Sequence, residues 1–401
     1  MDQNARDVLI TGVGLVSSLG EGVEAHLARL TAPTGLQPAI EGSAFAPYFV
    51  HPLPAVDWSQ QIPKKGDQRQ METWQKLGVY AAGLALQDAK VEPDEATRAR
   101  VDMIVAAGGG ERDPDVDALV MARTRGANDP QPLMNELLSS ELRPTLFLAQ
   151  LSNLLAGNIS IVHKVTGSSR TFMGEESAGI SAIQVASARI RAGQSRICLV
   201  GGAFSAERRD LLLNYELGGF LSRDEWRPVP ARDGASAGFA PGSVGAFLVL
   251  EDADHAAERG AVAYGRLRFV AGDRGSREPA RFEERFGQLL DESGLGDDDL
   301  LILSGATGID PITDAELGLL AKRFPNAALR TVGSAFGHGM EAQFPTGVAA
   351  AAMLLSAGRL PAPASGGEER PAGFAPRRAL VTGVGHVRGE GVCVVEAIEP
   401  R

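Results

Sequence analysis

The pattern of apolar and polar residues along the chain predicts alternating strands and helices. Branched apolar runs that contain glycines, at 8–16 and 379–387, are typical of strands buried on both faces. A helix is predicted from Glu21 to Leu30 and another at 68–89, where large apolar residues recur at helical spacing. Because the two runs have nearly the same letters, VLITGVGLV and ALVTGVGHV, they suggest an internal duplication. Further strands are predicted at 101–107, 197–200 and 262–270, and further helices at 116–124 and 133–138.

Residues 170–203 predict a strand, turn, helix and strand around which the chain is organised. A short strand at 171–173 turns at Gly174 into a helix of small and branched residues that ends at Gly193. Because this helix is apolar on nearly every side, we expect it to be buried. Its first turn directs unpaired N–H groups and the positive end of the helix dipole towards the turn residue. That residue is Glu176 or Ser177.

Composition narrows the range of functions. Of the 401 residues, 44% are hydrophobic, so the chain can bury a sizeable core. The net charge is −11 and no block of Lys or Arg occurs, so neither nucleic acid nor an anionic membrane is expected as a partner. The longest apolar stretch, 347–355, is too short to span a bilayer, and no signal-peptide pattern is evident, so we expect a cytoplasmic location. Cys198 and Cys393 lie in apolar strand patterns and are expected to be buried, and neither a metal site nor a cofactor is predicted.

The Glu-Ser-Ala-Gly string at 176–179 and the Gly-Gly-Ala at 201–203 resemble the nucleophile elbow of the β-ketoacyl-ACP synthases. The runs at 147–157 and 238–251 are similar to that family's helix at the dimer axis and to its glycine-rich turn and strand. The resemblance implies an α/β protein with a thiolase-like fold, a duplicated αβαβα layered sandwich. It also implies two thiolase-like halves, with a dimer-facing insertion and the elbow in the first. The halves are 1–255 and 256–401, the insertion about 111–157 and the elbow 174–177.

Several positions that carry the family's chemistry differ in this chain. Decarboxylative condensation needs a thiolate to hold the acyl chain and two imidazoles to stabilise the enolate and the oxyanion. The family has a cysteine at the elbow, and the matching residue here is Glu176. Ala306 occupies the position of the family's first histidine, and Gly333 that of its lysine. The second histidine is retained as His338. Val384 stands at the position of the gatekeeper phenylalanine, between the two oxyanion-loop glycines Gly383 and Gly385.

These losses on an otherwise intact pattern make the chain most similar to the chain-length factors. These are the catalytically inactive subunits of ketosynthase heterodimers in type II polyketide and aryl polyene systems. The resemblance implies two partners, an active β-ketoacyl-ACP synthase whose acyl tunnel this chain shapes, and an acyl carrier protein. No condensing activity is expected of the chain alone. The residues expected at the interface or the tunnel are Met121, Leu133, Leu137, Phe147, Leu151 and Asn153.

Two other functions remain open. The first is a malonyl-ACP decarboxylase that supplies starter units. Related decarboxylating homologues have a glutamine at the elbow, whose amide can donate a hydrogen bond. An ionised Glu176 cannot donate one. The second is an acyl-binding or hydrolytic relative with Ser177 as nucleophile, since the elbow also resembles that of esterases; His255, His338 or His386 would then be the base. Because a lone imidazole near a carboxylate more often forms a structural hydrogen bond, we expect His338 to pair with Glu176.

Overall fold

The computed structural model describes residues 6–364 and 373–398. The strands in these ranges are β1 (Val8–Ser17), β2 (Gly20–Glu21), β3 (Asp102–Ala106), β4 (Ser169–Phe172), β5 (Ile197–Phe204), β6 (Val244–Asp252), β7 (Gly265–Asp273), β8 (Leu300–Ser304), β9 (Ala328–Thr331), β10 (Arg378–Val384) and β11 (Glu390–Glu396). The helices are α1 (Gly22–Leu30), α2 (Lys65–Gln70), α3 (Thr73–Asp88), α4 (Glu95–Arg98), α5 (Pro114–Thr124), α6 (Pro130–Glu141), α7 (Leu146–Ala149), α8 (Leu154–His163), α9 (Glu176–Arg191), α10 (Arg209–Leu217), α11 (Ala253–Glu258), α12 (Pro279–Ser293), α13 (Ile312–Arg323), α14 (Val332–Phe336) and α15 (Gln343–Ala357).

The strands form two halves with the same internal order. Along the sheet the order is β4-β3-β5-β6-β1 and then β7-β11-β10-β8-β9, with β2 paired to β1. With β2 left aside and the strands numbered by chain order within each half, both halves have the order third, second, fourth, fifth, first from the outer edge to the junction. These strands are β4, β3, β5, β6 and β1 in the first half and β9, β8, β10, β11 and β7 in the second. The halves meet where β1 pairs antiparallel with β7, with Leu9 opposite Arg266 and Ile10 opposite Gly265. In both halves the first strand lies at the junction, which agrees with the expected thiolase-like fold.

The two similar strings that suggested the duplication do not occupy equivalent places in it. The first forms β1, the first strand of its half, whereas the second contributes to β10, the fourth strand of the other half. Their likeness reflects a shared need for small and branched residues in buried strands rather than a common place in the repeat. The expected boundary after residue 255 falls within α11 and stays a prediction.

Helices lie in three layers around the strands. The buried helices α9 and α15 contact each other and strands of both halves, so they form the middle layer. Helices α3 and α8 cover the outer face of the first half, and α12 and α13 cover that of the second. Small residues permit this packing: a Cβ on Gly347 of α15 would lie 2.6 Å from the Val381 side chain of β10. Among the described helices, none combines the length and the apolar composition that a membrane span requires.

One predicted helix is divided in two. Instead of a single helix at 68–89, α2 ends at Gln70 and α3 begins at Thr73. Glu72 causes the break because it caps α3: its side chain accepts from the backbone of Gln75, and its own N–H donates to the Gln75 side chain at 3.1 Å. A capping residue has extended rather than helical backbone angles, so one continuous helix cannot pass through this position.

Candidate functional site

A tight turn between β4 and α9 places the elbow residues. Gly174 and Glu175 both have positive φ, 129° and 55°, and Glu175 is the residue before the first turn of α9. This turn brings Glu176, the first residue of α9, into the interior, where it is 1% exposed. The neighbouring Ser177 is also buried, and its hydroxyl donates to the Gly174 carbonyl oxygen at 2.8 Å. The elbow therefore presents a carboxylate to the interior of the protein.

Two histidines from distant parts of the chain converge on one oxygen of Glu176. Oε1 is 2.6 Å from Nε2 of His338 and 2.9 Å from Nδ1 of His386. It also accepts a hydrogen bond from the backbone N–H of His386 at 3.1 Å. The expected pairing of His338 with Glu176 is confirmed. Burial leaves Nδ1 of His338 without a hydrogen-bond partner among the described residues.

The place of His386 beside Glu176 was not expected from the sequence. This residue was considered only as a base for the hydrolytic alternative, and no sequence spacing connects it with a residue 210 positions earlier. The available signal was its place directly after Gly385, in the loop that the resemblance assigns to the oxyanion. An imidazole in such a loop faces the elbow if the loop folds as it does in the family.

Electrostatics in this cluster favour an ionised carboxylate. Burial opposes the charge on Glu176, but the hydrogen bonds and positive charges of His338 and His386 outweigh it and hold the pKa of Glu176 well below its usual range. Burial likewise opposes protonation of His386, whereas its hydrogen bond to Glu176 and the charges of Glu176 and Glu175 raise its pKa above the ordinary value. For Glu175, burial and the charge of Glu176 raise the pKa. The pair of Glu176 and His386 is therefore best described as a carboxylate with an imidazolium.

Aromatic rings enclose the two imidazoles. The Phe239 ring centroid lies 4.7 Å from that of His338 and 5.6 Å from that of His386. Phe220 and Tyr215 approach His386 edge-on, at 4.9 Å and 5.7 Å. Such rings limit the access of water, so the interactions within the cluster are stronger than they would be at the surface.

A half-buried arginine holds the loop that carries His386. Arg277 donates to the carbonyl oxygens of Gly385 at 2.8 Å and Gly389 at 3.0 Å, and to the carboxylate of the fully buried Glu390 at 2.9 Å. The loop also closes on itself, because the Gly385 N–H donates to the Gly389 carbonyl at 2.7 Å. Glu390 has a second cationic partner, Arg285. These contacts fix the backbone on both sides of His386.

Gly385 lies against the carboxylate of Glu176. A Cβ at this position would be 2.1 Å from the Arg388 carbonyl oxygen and 3.1 Å from Oε2 of Glu176. The neighbouring Gly383 faces α9 and α15, where a Cβ would meet Phe344 and Ile180. Glycine at 385 is therefore required for the loop to close over the elbow.

Val384, at the position matched to the gatekeeper phenylalanine, faces away from the elbow. Its side chain packs in the outer core of the second half, with Phe282 and Phe286 of α12, while Gly383 faces the middle layer. Successive residues of a strand point to opposite faces, and this alternation directs Val384 away from the side of the sheet that α9 occupies. Its side chain is thus not placed as a gatekeeper of the elbow.

The positions of the missing histidine and lysine lie close to each other. Ala306 follows β8 and is buried, and Gly333 lies in α14, where a Cβ would be 3.6 Å from the Ala306 carbonyl oxygen. Small residues at both positions supply neither an imidazole nor an ammonium group. The second imidazole of this site comes from His386 instead.

The chain has two kinds of side chain near the core that could serve as a nucleophile, the hydroxyl of Ser177 and the thiols of the two cysteines. Ser177 donates to Gly174, and both histidines of the cluster bond to Glu176, so the described hydrogen bonds give Ser177 no base. Cys198 in β5 and Cys393 in β11 are buried, and burial raises the pKa of both thiols. Neither arrangement is that of an activated nucleophile.

A cavity of about 330 Å³ adjoins the cluster. Glu175 and Tyr215 lie on the side near the elbow, and Glu341 and Arg208 contribute further charged groups to the lining. Burial, together with the charges of Glu176 and Glu175, raises the pKa of Glu341 to about 7. The cavity therefore has a markedly polar lining beside the elbow.

Comparisons with known proteins identify the relatives of this chain. The family model for the N-terminal domain of β-ketoacyl synthases matches residues 5–256. A 3-oxoacyl-[acyl-carrier-protein] synthase 2 of Rhizobium meliloti (strain 1021) is 31% identical over 65% of this chain and 63% of its own length. The tetracenomycin polyketide synthase ketoacyl synthase beta subunit of Streptomyces glaucescens is 27% identical over 80% of this chain and 78% of its own.

A solved structure supports the fold. The ishigamide ketosynthase/chain length factor superposes with a TM-score of 0.78 at 20% sequence identity, covering 98% of this chain and all of the matched one. The Rhizobium match spans less than two thirds of that synthase. The matched domain, the two-part sheet and the elbow before a buried helix lead to one conclusion: the chain belongs to the β-ketoacyl synthase family.

Proposed function

We propose that this chain is a non-condensing, chain-length-factor-like subunit. It pairs with an active β-ketoacyl-ACP synthase in the cytoplasm, shapes the acyl tunnel of the complex, and works with an acyl carrier protein in polyketide or fatty-acid-like biosynthesis. One observation carries the proposal: the elbow presents Glu176 where condensation needs a thiolate. A carboxylate has no sulfur with which to hold an acyl chain as a thioester, and Oε1 of Glu176 already accepts three hydrogen bonds.

Exposed apolar residues support a partner on the side of α5 to α8 and β4. Of the twelve large hydrophobic side chains exposed in the described residues, seven lie between 121 and 173. Among the expected interface residues, Met121 is 73% exposed and Phe147 69%. Leu151 and Asn153 are also exposed, whereas Leu133 and Leu137 are half-buried. Exposed apolar side chains concentrated in one stretch of the chain support an interface formed by that stretch.

The outer edge of the first half is formed by β4, which contacts α8. In the described residues β4 pairs with β3 alone, so its other edge has unpaired N–H and C=O groups. Ile161 of α8 and Met173, just after β4, are exposed beside this edge. Two of the relatives are named as a ketoacyl synthase beta subunit and as a ketosynthase/chain length factor, which supports the same assignment.

The test is to purify the tagged chain from its native cells and identify what accompanies it in equal amount. The proposal expects a ketosynthase that has the elbow cysteine. Phe147→Arg and Leu151→Arg should each abolish co-purification, because a buried unpaired charge opposes association. Val262→Arg is the matched control, since Val262 is 81% exposed in the loop between α11 and β7. A homodimer without a cysteine-bearing companion would refute the proposal.

A second candidate is the malonyl-ACP decarboxylase, and the observation that favours it is the presence of two imidazoles at the elbow. Enolate stabilisation needs hydrogen-bond donors, and His338 and His386 are both occupied by Glu176. An ionised Glu176 would also repel the malonyl carboxylate. This candidate predicts release of carbon dioxide from malonyl-ACP by the wild-type protein, with loss of activity in His386→Ala. Release by Glu176→Gln alone would instead assign the wild-type glutamate a blocking role.

A further inference from the structure

We propose that Glu176, His338 and His386 form a binding site for a divalent transition-metal ion, zinc in the first instance. One carboxylate oxygen and two imidazole nitrogens converge here, and the three atoms lie within 4.8 Å of one another. No metal site was predicted from the sequence, because these residues are too far apart in the chain to form a recognisable ligand spacing. The inference does not depend on the proposed partner or on any condensing activity.

The three ligand atoms would suit zinc if they moved slightly apart. Zinc bonds to His nitrogen and carboxylate oxygen at about 2.0–2.2 Å, which places tetrahedral ligand atoms roughly 3.4 Å apart. The observed separations from Oε1 of Glu176 are 2.6 Å to His338 and 2.9 Å to His386. An ion would replace the shared protons, and each ligand atom would need to move by less than about 1 Å.

The donor set and its surroundings favour a cation. Two imidazoles and one carboxylate are a common ligand set for zinc and for ferrous iron. Glu175 and Glu341 add two more carboxyl groups next to the buried cluster, and Arg208 lines the adjoining cavity with them. A divalent ion would offset this concentration of acidic groups, of which Glu176 and Glu341 are buried.

In the part of the chain that the structure describes, only one of the two histidines has a carboxylate near the ring nitrogen that would not bind the metal. Nε2 of His386 lies 3.7 Å from a carboxylate oxygen of Glu175, which is beyond hydrogen-bond distance, so Glu175 would have to approach before it could orient a metal-bound His386. His338 lacks such an acceptor at Nδ1 among the described residues. Because a missing outer-shell partner weakens binding by about 10–100-fold, we expect weaker binding than at a structural zinc site.

Three protein ligands leave a coordination position open. A cavity of about 330 Å³ is lined by Glu175 and Tyr215, which are neighbours of Glu176 and His386, but by none of the three ligands themselves. A water molecule or a ligand oxygen would have to pass these neighbours to reach the open position. The site thus has the general form of an open zinc centre rather than a closed structural one.

The experiment is a titration of the full-length, chelator-treated protein with zinc chloride, followed by calorimetry and by measurement of bound metal after dialysis. We expect one zinc ion per chain, and affinity at least tenfold lower in His338→Ala and in His386→Ala. His255→Ala is the matched control, because His255 pairs with the buried Glu251 at 2.7 Å, and that pair belongs to no three-ligand cluster among the described residues. That variant should bind zinc as the wild type does.

X-ray absorption of the zinc-loaded wild type tests the site without any substitution. Two imidazoles and one carboxylate in the coordination shell would support the proposal even if a variant failed to fold. Absence of stoichiometric zinc in the wild type would overturn it. Equal affinity in the wild type and both folded alanine variants would overturn it as well.

Discussion

Replacing Arg277 by methionine should loosen the loop that holds His386 against Glu176. Methionine keeps the apolar stem of the side chain but removes the guanidinium that bonds to Gly385, Gly389 and Glu390. Removing one partner of a buried ion pair costs about 3–5 kcal/mol. Arg285 continues to pair with Glu390, which reduces that cost, whereas the two lost carbonyl hydrogen bonds add to it. We therefore expect a loss of about 3–4 kcal/mol in the free energy of unfolding.

Urea unfolding at neutral pH measures this loss, and Arg274→Met is the matched control. Arg274 is exposed three residues away and donates to the Ser181 hydroxyl at 3.2 Å. Its replacement should change the free energy of unfolding by no more than about 0.5 kcal/mol. In Arg277→Met the histidine NMR signal of His386 should also shift, since the loop is no longer fixed. If both variants unfold at the same urea concentration as the wild type, Arg277 does not hold the loop and the reasoning is wrong.

Three further outcomes follow from buried groups. Burial raises the pKa of Glu316 to about 7, so the folded state keeps a proton that the unfolded state loses above its ordinary pKa of 4.5; stability then falls as pH rises through this window. Glu316→Gln should remove that fall. The difference in the free energy of unfolding between variant and wild type should therefore be about 3 kcal/mol more favourable to the variant above pH 7 than at pH 4. Urea-unfolding free energies that change in parallel with pH in the two proteins would contradict this. Gly385→Ala should destabilise the loop by at least about 2 kcal/mol in thermal unfolding, roughly the cost of overpacking, and an unchanged midpoint would show that the loop can move aside. Cys198 and Cys393 should react with a thiol reagent only after denaturation, and rapid labelling of the native protein would disprove their burial.

The sequence predicted the parts of the fold that depend on local pattern. The central unit was expected as a strand, a turn, a buried helix and a strand, and α9 begins at Glu176, which the sequence had placed at the end of the turn. Its apolar residues identified it as a helix covered on all sides. The break between α2 and α3 was missed because the apolar spacing continues across Glu72, although its side chain caps the second helix.

The candidate site could be predicted only in part. The elbow, the missing nucleophile and the pairing of Glu176 with His338 follow from motifs whose residues match one by one. His386 joins the same carboxylate because Arg277 fixes its loop from a segment more than a hundred positions away, and no local pattern encodes that contact. The orientation of Val384 depends on the register between β10 and its neighbours, in which a shift of one residue exchanges the two faces.

The backbone of Glu175 bears on how freely this turn could change during evolution. With φ 55° and ψ −134°, this residue has a conformation that costs a residue with a side chain about 1–3 kcal/mol and costs glycine little. Selection for stability alone would therefore favour a glycine in its place, which a change at a single codon position can supply. A glutamate here has a benefit only if its carboxylate acts on something nearby, and His386 is the histidine it faces. The trade-off between stability and function at this elbow thus extends to the residue before the helix.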